Sequence, residues 1–441
     1  MIYNDSKYNN SWDIKSLNQL GEFRRGKSKH RPRNDKKLFN DGTYPLVQTG
    51  EITSANLYIR RHSAMYNEFG LKQSKLWSEN TLCITIAANI AETALLGYPM
   101  CFPDSVVGFN AYPKESSEMF MHYVFTYIKK SIQNSASGSI QDNINIEYLT
   151  SLKFRIPKKN YQDKVVEVLS CLDSKIELNN RINAELEAMA KTLYDYWFVQ
   201  FDFPDKNGTP YKASGGKMVW NEELKREIPE GWEVGTLLDI AEYTNGLPCQ
   251  KFRPTGNDFL KVIKIREMHG GFSSDTELVR STIPKKLIIE NGDVLFSWSA
   301  SLEVQIWTGG KGALNQHIFK VTSDKYPKSF YYYQLLNYLQ HFKMMAENRK
   351  TTMGHITQEH LQQSRIAIPP KELTVELEKI IAPIFKRKMI NEIENQQLAE
   401  LRDWLLPMLM NGQVKVGDSA ENKASYKIEE EMRMAAEPGS R

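Results

Sequence analysis

Eight cations crowd the stretch FRRGKSKHRPRNDKK, and six of them are candidates for DNA contact: Arg24, Arg25, Lys27, Lys29, Arg31 and Arg33. Cations so dense can track a phosphate backbone, which supplies affinity and salt dependence but little sequence information; the competing reading is a solvated basic loop. A shorter counterpart carries Lys251 and Arg253. Reading bases needs bidentate side chains, Arg or Lys for guanine and Asn or Gln for adenine. Gln48 and Gly50 in QTGE, and Lys264 and Arg266 in KIRE, follow β-like runs at equivalent places and are expected at strand ends. Asn89, Gln141 and Asn143 extend the first set; Ser299, Gln316, Lys350 and His355 extend the second. For each, turn or surface hydrogen bonding competes with base reading. Tyr331-Tyr332-Tyr333, on a helical stretch, reads as packing rather than stacking on bases.

Catalytic signatures are missing. There is no G-x-x-x-x-G-K-[ST] loop and no G-x-G-x-x-G phosphate turn. An adenine methyltransferase would need an Asn/Asp-Pro-Pro-aromatic segment, but Pro369-Pro370 is followed by Lys371. Asp104 and Asp205 follow prolines without the downstream Glu-x-Lys of a nuclease. Binding without catalysis is the favoured reading.

Composition sets the frame. A chain of 441 residues suits two or three domains, and its 41% hydrophobic and 25% charged content is that of a soluble globular protein. The net charge of +4 is mild. Cys83, Cys101, Cys171 and Cys249 are scattered, which fits a reducing cytoplasm and argues against a disulfide framework or a zinc site. No metal site and no bound cofactor is expected. The N-terminal residues lack a signal-peptide pattern, and the apolar run Thr81–Phe102 is broken by Asn89, Glu92 and Pro99, as suits buried core with a turn. The expected localisation is cytoplasmic, without a membrane span.

The elements that position these residues come twice. SWDIKSLNQLGEFRRG matches GWEVGTLLDIAEYTNG at an offset of 220 residues, pairing Trp12 with Trp232, Leu17 with Leu237 and Gly26 with Gly246. Val47 and Glu51 match Ile263 and Glu267 at 216. Leu82–Thr85 matches Val294–Ser297 at 212, and Ile156-Pro157 answers Ile368-Pro369 at the same offset. The drift says the first copy carries a few extra residues early on. Each copy mixes short β-rich runs with helical stretches and ends in a long helical segment. The predicted class is α+β: two similar modules, 1–157 and 229–370, and two helical spacers, 158–200 and 371–412. A linker at 201–228, rich in Pro, Gly and Asp, reads as an exposed loop, and 413–441 as a disordered polar tail.

In the first spacer Leu172, Ile176, Asn179, Asn183, Leu186, Ala190, Leu193 and Trp197 step by four and three, an a/d seam. The second gives Ile384, Lys388, Asn391, Asn395, Leu398, Arg402, Leu405 and Leu409. Pro383 aligns with Cys171, so each spacer is expected to break there into a short and a long helix. About 28 residues of long helix span roughly 42 Å, commensurate with the ~34 Å turn of B-DNA. The Leu and Ile positions read as ordinary packing. Asparagines at the same two seam positions of both spacers cost stability and fix register; whether they face the sister helix or another subunit stays open. Antiparallel pairing would give a pseudo-two-fold axis. Lys388 and Arg402 break the symmetry.

Across roughly residues 10–412 the chain resembles Type I restriction-modification specificity subunits, on the strength of its module starts, its Ile-Pro exits and the linker GGKMVWNEELKREIPEGWEV. The resemblance implies two target-recognition domains, each reading half of a bipartite double-stranded DNA site. It also implies spacer helices that act as a ruler and dock two methyltransferase subunits, with motor-nuclease subunits completing the complex. S-adenosylmethionine, ATP and Mg would sit on those partners. The rival reading is a stand-alone DNA-binding regulator or structural coiled-coil protein without enzymatic partners; a single-chain restriction-methylase is opposed by the missing motifs.

Overall fold

The computed structural model describes residues 2–87, 90–137, 146–348 and 355–417. They form two compact units: one built from residues 1–177 and from 397 onward, the other from 178–396. The division is not collinear with the modules, because each long helix ends in the unit of the other repeat.

The first unit is held by three sheets. Asp13–Ser16 pairs antiparallel with Lys153–Ile156, setting Asp13 opposite Ile156. A five-stranded sheet runs in the order Gly21–Arg25, Val106–Ala111, Leu82–Thr85, Thr93–Leu96, Tyr58–Ile59. A four-stranded sheet runs Ala64–Tyr66, Tyr44–Leu46, Met100–Cys101, Leu76–Trp77. Helix Glu118–Ser137 supplies Phe120, Val124, Phe125 and Ile128 to a core shared with Leu17, Leu82, Phe109 and Phe154. Leu406, Leu409 and Met410 of the second long helix complete it. Burying three such side chains is worth roughly 5–9 kcal/mol as an upper bound.

The second unit repeats this plan. Glu233 stands opposite Ile368 where Glu233–Thr236 pairs with Arg365–Ile368. Its second sheet runs Glu242–Asn245, Ile318–Thr322, Val294–Ser297, Glu303–Ile306, and its third Leu278–Arg280, Phe259–Ile263, Gly312–Leu314, Ile288–Ile289. In both units the third sheet contains one parallel pair, Leu46 with Cys101 and Phe259–Ile263 with Gly312–Leu314. Helix Lys328–Asn348 buries Phe330, Leu335 and Phe342, and Tyr331, Tyr332 and Tyr333 are buried with them, as packing residues. Ala190, Tyr194, Trp197 and Phe198 of the first long helix fill the same core.

The long helices, Lys159–Phe198 and Lys371–Met410, each run uninterrupted for 40 residues. The expected break at Cys171 and Pro383 does not occur. Pro383 removes one N–H at about 3 kcal/mol, but its ring is exposed and Lys379, whose carbonyl loses the bond, is exposed too. Leu377 and Ile381, buried one turn earlier, and Asn391 beyond hold the helix through the gap. The helices pack antiparallel, since partners rise in one as they fall in the other. Asn179 Nδ2 donates to Asn395 Oδ1 at 2.9 Å, Asn391 Nδ2 to Asn183 Oδ1 at 2.8 Å, and Lys388 Nζ to Glu187 at 2.8 Å. All sixteen seam positions named from the heptad spacing are buried or half-buried, including Leu172, Leu186, Leu193, Ile384, Leu398 and Leu405.

Most of the segment 201–228 is exposed, but its start is anchored in the core. Phe201, at a φ of 67°, and Phe203 are both buried; Phe203 stacks on Tyr211 at 4.7 Å and Trp232 at 5.7 Å. The chain then folds into a hairpin, Met218–Asn221 against Arg226–Pro229. Past the second helix, Val414 and Val416 still pack on the first unit, and the Val414 carbonyl accepts a bond from Tyr161 at 2.8 Å; residues 418–441 lie outside the described residues.

Candidate DNA interface

The six candidate cations of the basic loop are exposed, but they do not stand alike. Arg24 and Arg25 end a strand, and Gly26 follows where a Cβ would meet the Phe102 and Pro103 carbonyl oxygens at 2.4 and 2.3 Å. That close approach requires glycine and turns the chain into the loop. The loop is built: the N–H groups of Lys29 and His30 donate to Gln73 Oε1 at 2.7 and 3.1 Å, and Arg31 donates to the Ser28 carbonyl at 2.5 Å. Asp35 accepts from the Lys37 N–H and from His30, which together hold its carboxyl below the usual range. Arg33 pairs with Asp104 at 2.6 Å, with Arg31 at 3.7 Å from the same carboxylate, and Arg24 pairs with Glu22. Among the described residues, Arg25, Lys27 and Lys29 have no carboxylate partner.

Gln48 and Gly50 are exposed beside this loop, Gln48 two residues past the strand Tyr44–Leu46. Gln48 precedes a short helix, Thr49–Ser54, and its N–H donates to Glu51 at 3.0 Å. Burial pushes Glu51 up, yet donation from Ser63 and Gln48 outweighs it and keeps the carboxylate below its ordinary range. Lys264 repeats the arrangement before Ile265–Gly270, its N–H donating to Glu267 at 3.2 Å. Lys264 directly follows the strand Phe259–Ile263, and in both units a glutamate three residues on caps the first helical turn. Arg33, Asn34, Gln48 and Thr49 line one concave face floored by Phe39, Leu46 and Tyr66. Positive and amide groups thus share a groove with an apolar floor.

In the second unit Lys251 and Arg253 are exposed around a turn anchored by buried Cys249. Lys264 pairs with Glu277 at 2.6 Å. Arg266 is largely exposed but engaged: it donates to Glu267 at 2.8 Å and to the Asp275 carbonyl at 3.2 Å, and Glu267 itself is buried. Ser299 is buried and offers no edge to a ligand; it lies in a tight hairpin tip, with Ala300 at φ +60°. Gln316 and His355, by contrast, gather around a residue the spacing argument passed over. Trp298 sits at that tip with His355 and His317 rings 5.5 and 5.6 Å away, and its Nε1 donates to Asn245 at 3.2 Å. Gln316 stands 3.2 Å from His317. The signal was a tryptophan directly after the duplicated Val294–Ser297 strand, where the chain must turn. Both units latch this hairpin alike: Thr85 Oγ1 accepts the Glu92 N–H and Ser297 Oγ the Glu303 N–H, each at 3.0 Å. Asn89, Gln141, Asn143 and Lys350 lie outside the described residues.

No group of three or more His, Cys, Asp or Glu is placed to hold a metal among the described residues, and none of their helices is long and apolar enough to cross a membrane. Residues 9–188 and 229–403 match the family model described as Type I restriction modification DNA specificity domain. The chain belongs to that family. The specificity subunit of the Type I restriction enzyme MjaIX from Methanocaldococcus jannaschii is 26% identical over 92% of this chain and 94% of its own length. That of HindI from Haemophilus influenzae is 26% identical over 65% and 74%. A crystal structure of a Type I restriction-modification S subunit from M. genitalium covers 93% of this chain and 99% of its own, at 15% identity and a TM-score of 0.57, a likeness of fold. As a Type I specificity family member, the chain places its repeated units where the family model repeats its domain.

Proposed function

We propose that each unit reads one half of a bipartite, asymmetric DNA site, and that the chain itself catalyses nothing. The single observation that carries this is the duplicated unit, with matched strand register but different side chains on its groove and hairpin tip. One scaffold presented twice with different surfaces suits two different half-sites. Arg25, Lys27 and Lys29 would contact phosphates; Gln48 in the first unit and Gln316, His355 and Trp298 in the second would face base edges. The antiparallel long helices would dock two methyltransferase subunits, with motor-nuclease subunits in the full cytoplasmic complex. S-adenosylmethionine, ATP and Mg would belong to those partners.

The test is a genome-wide map of methyladenine with and without the gene. Loss of one split motif is the expected result. Exchange of residues 10–157 for the corresponding module of a relative should then alter one half of that motif, and alteration of both halves would refute modular reading. Failure to co-purify with any methyltransferase would refute the docking role.

A further inference from the structure

The two repeats are related by an offset of 212 residues through the helical segments, and that relation separates the seam contacts into two kinds. The asparagine contacts are exchanged by it: Asn179 corresponds to Asn391 and Asn183 to Asn395, so the pair Asn179–Asn395 becomes Asn391–Asn183. A contact that maps onto itself fixes register but cannot tell one helix from the other. The ion pairs do not map onto themselves. In the first unit Arg402 Nη1 meets Asp173 Oδ1 at 2.8 Å, and Tyr123 donates to Asp173 Oδ2 at 2.6 Å. Their counterparts in the second unit are Ala190, Phe385 and Leu335, all members of an apolar cluster. In the second unit Lys388 meets Glu187 at 2.8 Å, and the counterparts of that pair are Ile176 and Ala399.

We infer that these two asymmetric ion pairs direct the end of each long helix to the opposite repeat and reject the equivalent helix end of a second copy of the chain. Consider the first unit closed by the end of the first helix from another copy. Ala190 would then face Asp173, which is 6% exposed, and its carboxylate would keep only the tyrosine. A second unit closed by the end of a second helix would receive Arg402 against Phe385 and Leu335. Lys388 would face Ala399, and Glu187 would face Ile176. The buried carboxylate of Asp173 carries most of the penalty, because a buried charge that loses its partner is strongly destabilising; Glu187 is half exposed and Lys388 keeps Glu392, so their junction adds less. All four groups are satisfied only where the end of one long helix meets the start of the other, an order that a single chain supplies without a second copy. A device of this kind keeps the two units unlike, which an asymmetric site would require, but it operates without DNA.

The test uses full-length chains. Two differently tagged copies are unfolded together, refolded, and weighed by native mass spectrometry. In D173F/R402A the first unit acquires the apolar junction of the second, and the ratio of mixed two-copy species to single-copy species should rise at least a hundredfold over the unmodified chain. A ratio within threefold of the unmodified chain, with melting curves showing a folded variant, would overturn the inference. Should that variant not fold, D173R and R402D are refolded separately and together. In a reciprocal pair of chains every opposed charge is compensated, so mixed pairs should dominate the joint sample. No excess of mixed pairs over the separate samples overturns it. Because no DNA enters the measurement, its failure leaves the reading of two half-sites standing, and the converse holds.

Discussion

Replacing Arg402 by alanine should unfold the first unit early. Asp173 is buried, its Oδ2 is held by Tyr123 and its Oδ1 by Arg402 at 2.8 Å. Removing one partner of a buried pair costs about 3–5 kcal/mol, because the remaining charge has neither water nor a counter-ion. The tyrosine bond survives, which places the cost near 3 kcal/mol. For a unit of about 200 residues each kcal/mol moves the midpoint by about 2–4 °C, so the transition should fall by roughly 6–12 °C. Calorimetry resolves it, since the transition of the second unit should not move: neither residue belongs to it. Adding Asp173→Phe to Arg402→Ala removes the stranded carboxylate and should return the midpoint to within a few degrees of the unmodified chain. A shift below 2 °C in the single variant, or no recovery in the double, would show that the pair is not a buried commitment and would remove the basis of the pairing rule.

Other outcomes are as definite. His122 is buried on Thr93, and burial lowers its pKa from about 6.5 to about 4. The folded state therefore binds fewer protons than the unfolded one; the stability is fully present above pH 6.5 and is lost as pH falls toward 4, by about 2 kcal/mol at pH 5. Urea melts at pH 7.5 and 5 should show that loss and His122→Phe should remove it; equal slopes would contradict it. Lys27→Ala and Lys29→Ala should each flatten the dependence of log affinity on log salt by about 0.9, whereas Arg33→Ala, already paired to Asp104, should flatten it less. Equal changes for all three would mean that the pairing with Asp104 opens on DNA. Arg266→Ala should lower the melting temperature without DNA, because it strands Glu267; specificity relaxed at an unchanged melting temperature would make it a base reader instead.

Much of the architecture was legible because duplication reports on pairing. The matched exits Ile156 and Ile368 stand opposite the matched starts Asp13 and Glu233, so two correspondences in sequence became one contact in each unit. The asparagine seam was legible for the same reason. Legibility ended where a position was repeated for a purpose other than the assumed one. Glu51 and Glu267 recur because they cap a helical turn, so Gln48 and Lys264 open short helices just past their strands, a role the residue types did not announce. Pro383 misled because an exposed proline with buried turns on both sides costs less than a broken helix. Phe201 and Phe203 were hidden by the turn-forming residues around them. Arg266 and Ser299 were chosen by residue type, and type says nothing about a neighbouring glutamate or about burial in a tight tip.

The interleaving of chain and unit also sets an order of synthesis. The second unit is one continuous run, 178–396, and has every residue it needs once that run has emerged. The first unit begins earlier and finishes later, because Leu406, Leu409 and Met410 come near the end of the chain. While the ribosome makes the residues between, the apolar floor those side chains will cover, with Asp173 beside it, has no lid. The unit made first is completed last, and a message cut short before residue 397 would yield a chain with a finished second unit and an unfinished first.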